Sequence, residues 1–151
     1  MKNKNKDKDY VFYICWENSK NKDYKIGLLA KIDDYYYLKI NTKEHSSAAY
    51  EKGCIGLPGF RDDMVYRSEN LFDFFQNRIF DKGNEDVCKE LVKTQGRSFI
   101  DSFFVKEVPH RIKEKSKHIL LNMYKNQEEL RKINSQIIIE HKENDHSLRA
   151  N

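Results

Sequence analysis

For its first 108 residues the chain places its apolar positions in short blocks; beyond that they follow a helical rhythm. Residues 1–9 alternate Lys with Asn or Asp and have nothing to bury. Tyr10 to Trp16 is apolar or aromatic at every position. A run this short and this rich in β-formers predicts a strand, and the lack of polar alternation places it in the centre of the sheet. Asn18, Ser19 and Asn21 mark a hairpin-like connection. A second strand follows over Lys25 to Ala30, a turn at Lys31 to Asp34, and a third strand over Tyr35 to Ile40. Parallel crossovers need a dozen or more residues, so these short links predict an antiparallel meander.

Thr42 to Lys52 reads as a short helix ended by Gly53 in the C′ position. Gly56 to Phe60, which contains Pro58, is a fixed-shape loop that Arg61 to Tyr66 continues as loop or brief strand. Ser68 has the chemistry of an N-cap, and Leu71, Phe72, Phe74, Phe75 and Ile79 follow at helical spacing. That helix should end over Asp81 to Asn84. A second short helix is expected over Asp86 to Lys93, closed by Gly96, and a last strand over Phe99 to Val108. Pro109 breaks the chain, and from Ile112 to Ile139 there is neither Gly nor Pro. Ile112, Ile119, Met123, Leu130, Ile133 and Ile137 recur by sevens, threes and fours, with Ser116 and Asn126 in the missing positions. This is an interrupted coiled-coil-like seam on a helix decorated with Lys113, Lys115, Lys117, Lys125, Arg131 and Lys132. The expected fold is α+β. A small antiparallel β-sheet (meander plus a late strand) packs with two or three short helices, and a long C-terminal amphipathic helix follows. The boundaries are a tail over 1–9, a domain over 10–108, the helix over 109–143 and a frayed end over 144–151.

A length of 151 residues fits one domain with an appendage, and nine Phe with nine Tyr supply a core. Charged residues make up 34% and gather toward the two ends, so the core belongs in the middle. A net charge of +4 permits nucleic-acid contact without requiring it. Cys15, Cys54 and Cys88 are odd in number and widely spaced, with no Cys-x-x-Cys pair. That excludes a disulfide framework, a zinc ribbon and a dithiol redox motif, and predicts free buried thiols in a reducing compartment. No run reaches the ~20 apolar residues of a membrane span, and no signal-peptide core follows the N-terminus, so the expected location is the cytoplasm.

Catalytic and cofactor motifs are missing. There is no phosphate-binding Gly-x-x-x-x-Gly-Lys loop and no kinase catalytic loop, and Gly53, Gly56 and Gly59 do not match a dinucleotide pattern. His45, His110, His118, His141 and His146 show no metal-ligand spacing. Asp33-Asp34 and Asp62-Asp63 read as turn chemistry. No catalytic residue, cofactor, metal or small-molecule substrate is therefore expected. Two features suggest binding. Tyr24, Tyr35, Tyr36, Tyr37, Tyr66 and Arg67 could stack nucleic-acid bases, or simply line the wet face of a sheet. The basic helix could dock in a groove, dimerise or pack on its own head.

The order of features over residues 10–108 resembles the N-terminal subdomain of the HipA-type kinases. The likeness is carried by the aromatic first strand ending in Trp16, Gly27-Leu28, Tyr35-Tyr36-Tyr37-Leu38, Leu57-Pro58, Tyr66-Arg67-Ser68 and the stretch from Leu71 to Arg78. It is closer still to the variant of that module found ahead of HIRAN domains in bacterial proteins, which Gly96-Arg97-Ser98-Phe99-Ile100-Asp101-Ser102 matches. The resemblance implies a non-catalytic accessory that, as a separate polypeptide, can act as an antitoxin-like partner of a split kinase. Neither a kinase core nor a HIRAN domain is in this sequence, so neither activity is implied. The expected function is a protein-interaction or regulatory module, in a toxin–antitoxin or phage-defence setting, acting on a separately encoded effector or on a second copy through the helix. The alternative is a nucleic-acid-binding accessory. Candidate partner-binding residues are Arg78, Arg97 and Asp101, which match the family pattern, with Ile119, Met123, Leu130, Ile133 and Ile137 on the seam. An internal Arg–Asp ion pair is an equal reading of the first group.

Overall fold

β1 (Tyr10–Glu17) has no polar face because both of its faces are covered. In the computed structural model, which describes residues 8–42, 47–79 and 86–150 (the side chains of Ser47 and 140–150 excepted), alternate β1 residues enter two separate cores. Phe12 and Ile14 point into one, Val11, Tyr13 and Cys15 into the other. β1 pairs antiparallel with β2 (Asp23–Ile32), and β2 with β3 (Tyr35–Ile40), giving the expected meander. α1 (Ser47–Glu51) and a long loop lead to β4 (Val65–Ser68), which adds to β3. α2 (Asp73–Gln76) and α3 (Val87–Thr94) precede β5 (Phe103–Glu107), which pairs with the free side of β1. The five-stranded antiparallel sheet has the order β4-β3-β2-β1-β5. α4 (His110–Ala150) completes the chain and carries the helix through the polar segment expected to fray.

The first core lies between the sheet and the short helices, where Phe12, Leu29, Leu38 and Val105 meet Leu57, Leu71, Phe75 and Leu91. Asp86 caps α3, its carboxylate accepting from the backbone of Cys88 and Lys89. The helix expected from Ser68 is a correction. Ser68 ends β4, and its hydroxyl accepts from the Asn70 backbone in a turn. Only Asp73–Gln76 is helical, because tighter bonds from Arg78 N–H to Phe75 and from Ile79 N–H to Gln76 end it within one turn. Leu71, Phe75 and Ile79 are buried all the same. The last strand likewise begins at Phe103 rather than Phe99. The expected start of the first helix at 43–46, its His45, and the end of the second at 81–84 lie outside the described residues.

The second core is the first half of α4 laid across the other sheet face. Leu120 is fully buried there, with Ile112, Leu121, Met123 and Tyr124 packed around it. The sheet therefore has no wet face. Lys117 pairs with Asp9 where the helix begins its crossing. Tyr124 meets the Tyr37 ring edge-on at 5.6 Å. Gln127 then acts as a strand substitute at the β4 edge. Its amide oxygen accepts from Val65 N–H at 2.6 Å, and its amide nitrogen donates to Val65 C=O at 2.9 Å. At the opposite edge Val105 N–H donates to Gln95 C=O at 2.7 Å, and Phe103 C=O accepts from Arg78 at 3.0 Å. Both edges thus have partners that discourage addition of a foreign strand.

Gly27 is the tightest point of the sheet. The β1–β2 register shifts between Ile14 and Cys15, leaving an extra residue in β2 beside Gly27. A Cβ at Gly27 would lie 2.4 Å from Lys39 C=O and 3.0 Å from Ile40 Cα, both backbone atoms of β3. Gly27→Ala should therefore cost about 1–3 kcal/mol in denaturant unfolding, the usual cost of forcing extra volume into a packed core. An unchanged midpoint would show that β2 and β3 can separate freely.

Candidate partner-binding surfaces

The strand registers bring five strand ends together. Trp16 faces both Tyr24 and Phe103, Gly27 faces Ile40, and Lys39 faces Val65. The β1–β2 turn, the connection after β3, the segment leading into β4 and the loop over 97–102 all leave from this end. Three of its large apolar side chains, Ile55, Phe99 and Ile100, are almost wholly in solvent.

The 97–102 loop is held rigidly. Arg78 is buried, with 7% of its surface exposed, and its guanidinium lies 4.0 Å over the Phe74 ring. It donates to Gly96 C=O at 3.1 Å and to Phe103 C=O at 3.0 Å, one on each side of the loop, and forms an ion pair with Asp101 within it. Asp101 also accepts from Phe103 N–H at 3.2 Å, and Ser98 Oγ accepts from Ile100 N–H at 3.1 Å. Glu17 N–H reaches Ser102 C=O at 2.9 Å. Arg97 lies 4.0 Å over the Phe104 ring, with Glu17 at 3.4 Å and Gln95 at 3.1 Å. A single buried cation thus ties together the start, body and end of the loop that displays Phe99 and Ile100.

Of the residues singled out from sequence, Arg78 and Asp101 meet each other inside the domain. Arg97 stays half-exposed beside Glu17. Ile119 and Met123 are partly buried, whereas Leu130, Ile133 and Ile137 are 60%, 53% and 56% exposed. Ile138 and Ile139, also exposed, extend that region. A groove of about 610 Å³ separates Met64 and Val65 from Met123, Leu130 and Ile138. Phe99 and Ile100 are apolar and adjoin Phe103 to Val105, so by hydrophobicity alone they read as the start of that strand. The polar brackets Gly96-Arg97-Ser98 and Asp101-Ser102, which are turn formers, were the signal that separates them.

The aromatic set does not form a stacking platform. Tyr36 and Tyr37 are buried, Tyr66 packs edge-on against Phe60 at 5.0 Å, and Tyr24 leans on Trp16 at 5.9 Å. Arg67 sits over both Tyr35, at 4.3 Å, and Tyr124, at 4.9 Å. The chemistry of the buried groups is quiet as well. Burial pushes the thiols of Cys15 and Cys88 up to about 11 and raises that of Cys54, away from the thiolate a nucleophile needs. Burial lowers the pKa of Lys39, whose ammonium donates to the carbonyls of Ile40, Asn41 and Asp62 and so ties the 61–64 segment to β3. Among the described residues no cluster of His, Cys, Asp or Glu could hold a metal ion, and no helix is long and apolar enough to cross a membrane. Comparison with protein-family models, with curated proteins and with solved structures found no match to this chain.

Proposed function

We propose that the chain is a cytoplasmic, non-catalytic protein-interaction module that regulates a separately encoded effector, in the manner of an antitoxin-like accessory. The observation that carries this reading is the display of Phe99 and Ile100 on a loop clamped by Arg78. Two adjacent large apolar side chains in full solvent contact are costly to leave uncovered, and such patches mark interaction sites. Clamping the loop beforehand removes part of the ordering cost of binding. Charges of both signs occur on and beside it: Arg97 pairs with Glu17, and the adjoining β1–β2 turn carries Lys20 and Lys22 ahead of Asp23. That mixture suits a protein surface better than a polyphosphate backbone, which selects for one sign. The resemblance of residues 10–108 to the HipA-type N-terminal subdomain supports the same role.

The test is affinity capture from the native host with the wild-type chain and with a Phe99→Ser, Ile100→Ser variant. Both side chains are exposed, so the variant should melt like the wild type. Wild type should retain one effector that the variant loses by about thirtyfold or more, the effect of removing an interface hot spot of about 2 kcal/mol. Equal capture by both proteins would rule the loop out. Binding to nucleic acid that falls steeply with salt would replace this reading with the nucleic-acid one.

A further inference from the structure

α4 carries two stripes, and only one of them is used by the head. At about 100° per residue, Ser116, Leu120, Tyr124 and Gln127 fall on one face of the helix. This face packs on the sheet: Ser116 and Leu120 are buried, Tyr124 meets Tyr37, and Gln127 bonds to Val65. Ile119, Met123, Asn126, Leu130, Ile133 and Ile137 fall on a second face rotated by roughly 90°. Met123 borders both faces. Their spacing of four, three, four, three and four is the heptad repeat of a coiled-coil seam, about 27 Å long at 1.5 Å per residue. From Asn126 onward its side chains are exposed.

We infer that this second stripe pairs in parallel with the same stripe of a second copy of the chain. The inference rests on the reading of the chain as an interaction module but uses a different surface from the Phe99–Ile100 loop. One observation favours a copy over an unrelated helix, and two more favour the parallel direction. The positions flanking the seam are Asn122, Gln127, Glu129, Asn134 and Gln136, nearly all uncharged amides. Two identical helices meet there without repulsion, and the charge code by which unlike helices select each other is missing. Asn126 occupies a seam position. In a parallel pair it faces Asn126 of the second copy, amide to amide, so that each amide has a hydrogen-bond partner. An antiparallel pair using the same six positions sets it against Leu130 and buries an amide without a partner. The head also permits the parallel arrangement. Its sheet lies about a quarter turn from the seam, so a two-fold axis along the helices puts the two heads on opposite sides.

The full chain should be a dimer by light scattering at micromolar concentration. Ile133→Glu with Ile137→Glu should raise the dissociation constant at least a hundredfold and leave the circular dichroism of the head unchanged, since both side chains are in solvent. Ile133→Cys should give a disulfide-linked dimer on mild oxidation, because residue 133 faces itself in the parallel register. A monomer at 100 μM, a larger assembly, or cross-linking only when Met123→Cys is combined with Ile133→Cys would each overturn the inference. Phe99→Ser with Ile100→Ser should leave the dimer intact. A monomer that still captures its effector through that loop would therefore refute the pairing and spare the proposed function.

Discussion

Replacing Arg78 by alanine should destabilise the chain by about 3–5 kcal/mol, the combined cost of removing a buried cation from a half-buried ion pair and of leaving two carbonyls without their donor. The size follows from what the guanidinium holds. Its loss strands the Asp101 carboxylate and the carbonyls of Gly96 and Phe103. Gly96 is buried, so water cannot readily replace the bond. The Phe74 ring also loses the cation that lies 4.0 Å from its centre. Lysine should rescue poorly, because one ammonium cannot reproduce a planar fork that serves two carbonyls and a carboxylate. Asp101→Asn should cost less, since the amide keeps one oxygen and can still accept from either the guanidinium or Phe103, which bond different oxygens of the carboxylate. In urea the Arg78→Ala midpoint should fall by about 2 M, given a slope of about 1–3 kcal/mol per molar for small proteins. A loss under about 1 kcal/mol would mean that the loop relaxes and re-pairs these groups by itself. The predicted order, alanine worst and asparagine at 101 mildest, separates a clamp from a residue that merely fills space.

Much of the sheet was legible because its chemistry is local. Three apolar blocks joined by links too short for crossovers leave little but a meander, and the uniform apolarity of Tyr10 to Cys15 announced a central strand. The cover on the second face was harder to read. The α4 face that lies on the sheet is marked by Ser116 and Gln127, which are polar, and by Leu120 and Tyr124 between them. The more hydrophobic stripe, from Ile119 to Ile137, is the one whose greater part, from Asn126 onward, is left at the surface. Hydrophobic spacing therefore identified a real stripe but gave no sign that the helix uses another. The stretch after Ser68 failed for a related reason. Phe72, Phe74 and Phe75 look like one helical face, yet Phe72 packs edge-on against Phe60 and Phe74 against Phe103, in different directions from a single turn. Arg78 and Asp101 were visible as a pair, but their shared task of holding a loop depends on carbonyls that side-chain identity does not reveal.

Stability should fall by about 4 kcal/mol as the pH rises from 9 to 11, as an upper estimate built from two thiols. Cys15 and Cys88 are buried, and burial pushes each from an ordinary 9.0 up to about 11. In the unfolded chain both thiols lose their protons near pH 9, whereas in the folded chain they keep them until about pH 11. Between these values the unfolded state binds fewer protons, so the folded state loses ground with every step in pH. Two units at 1.36 kcal/mol per unit give about 2.7 kcal/mol for each thiol in full, of which about 2 kcal/mol is lost between pH 9 and 11 because each state is half titrated at its own limit. Cys54 and Tyr36, both raised by burial, act in the same direction, Tyr36 only above its ordinary 10.0. Lys39 opposes them: burial lowers its pKa, so its contribution improves as the pH approaches 10.5. The thiols outweigh it because there are two of them with shifts this large. Urea unfolding at pH 8, 9, 10 and 11 tests the sign and the size together. Cys15→Ala with Cys88→Ala should start less stable at pH 8, from the small cavities left, yet lose far less by pH 11. Parallel pH curves for wild type and variant would show that the thiols are not the groups that titrate, and that the two cores admit water more readily than their packing implies.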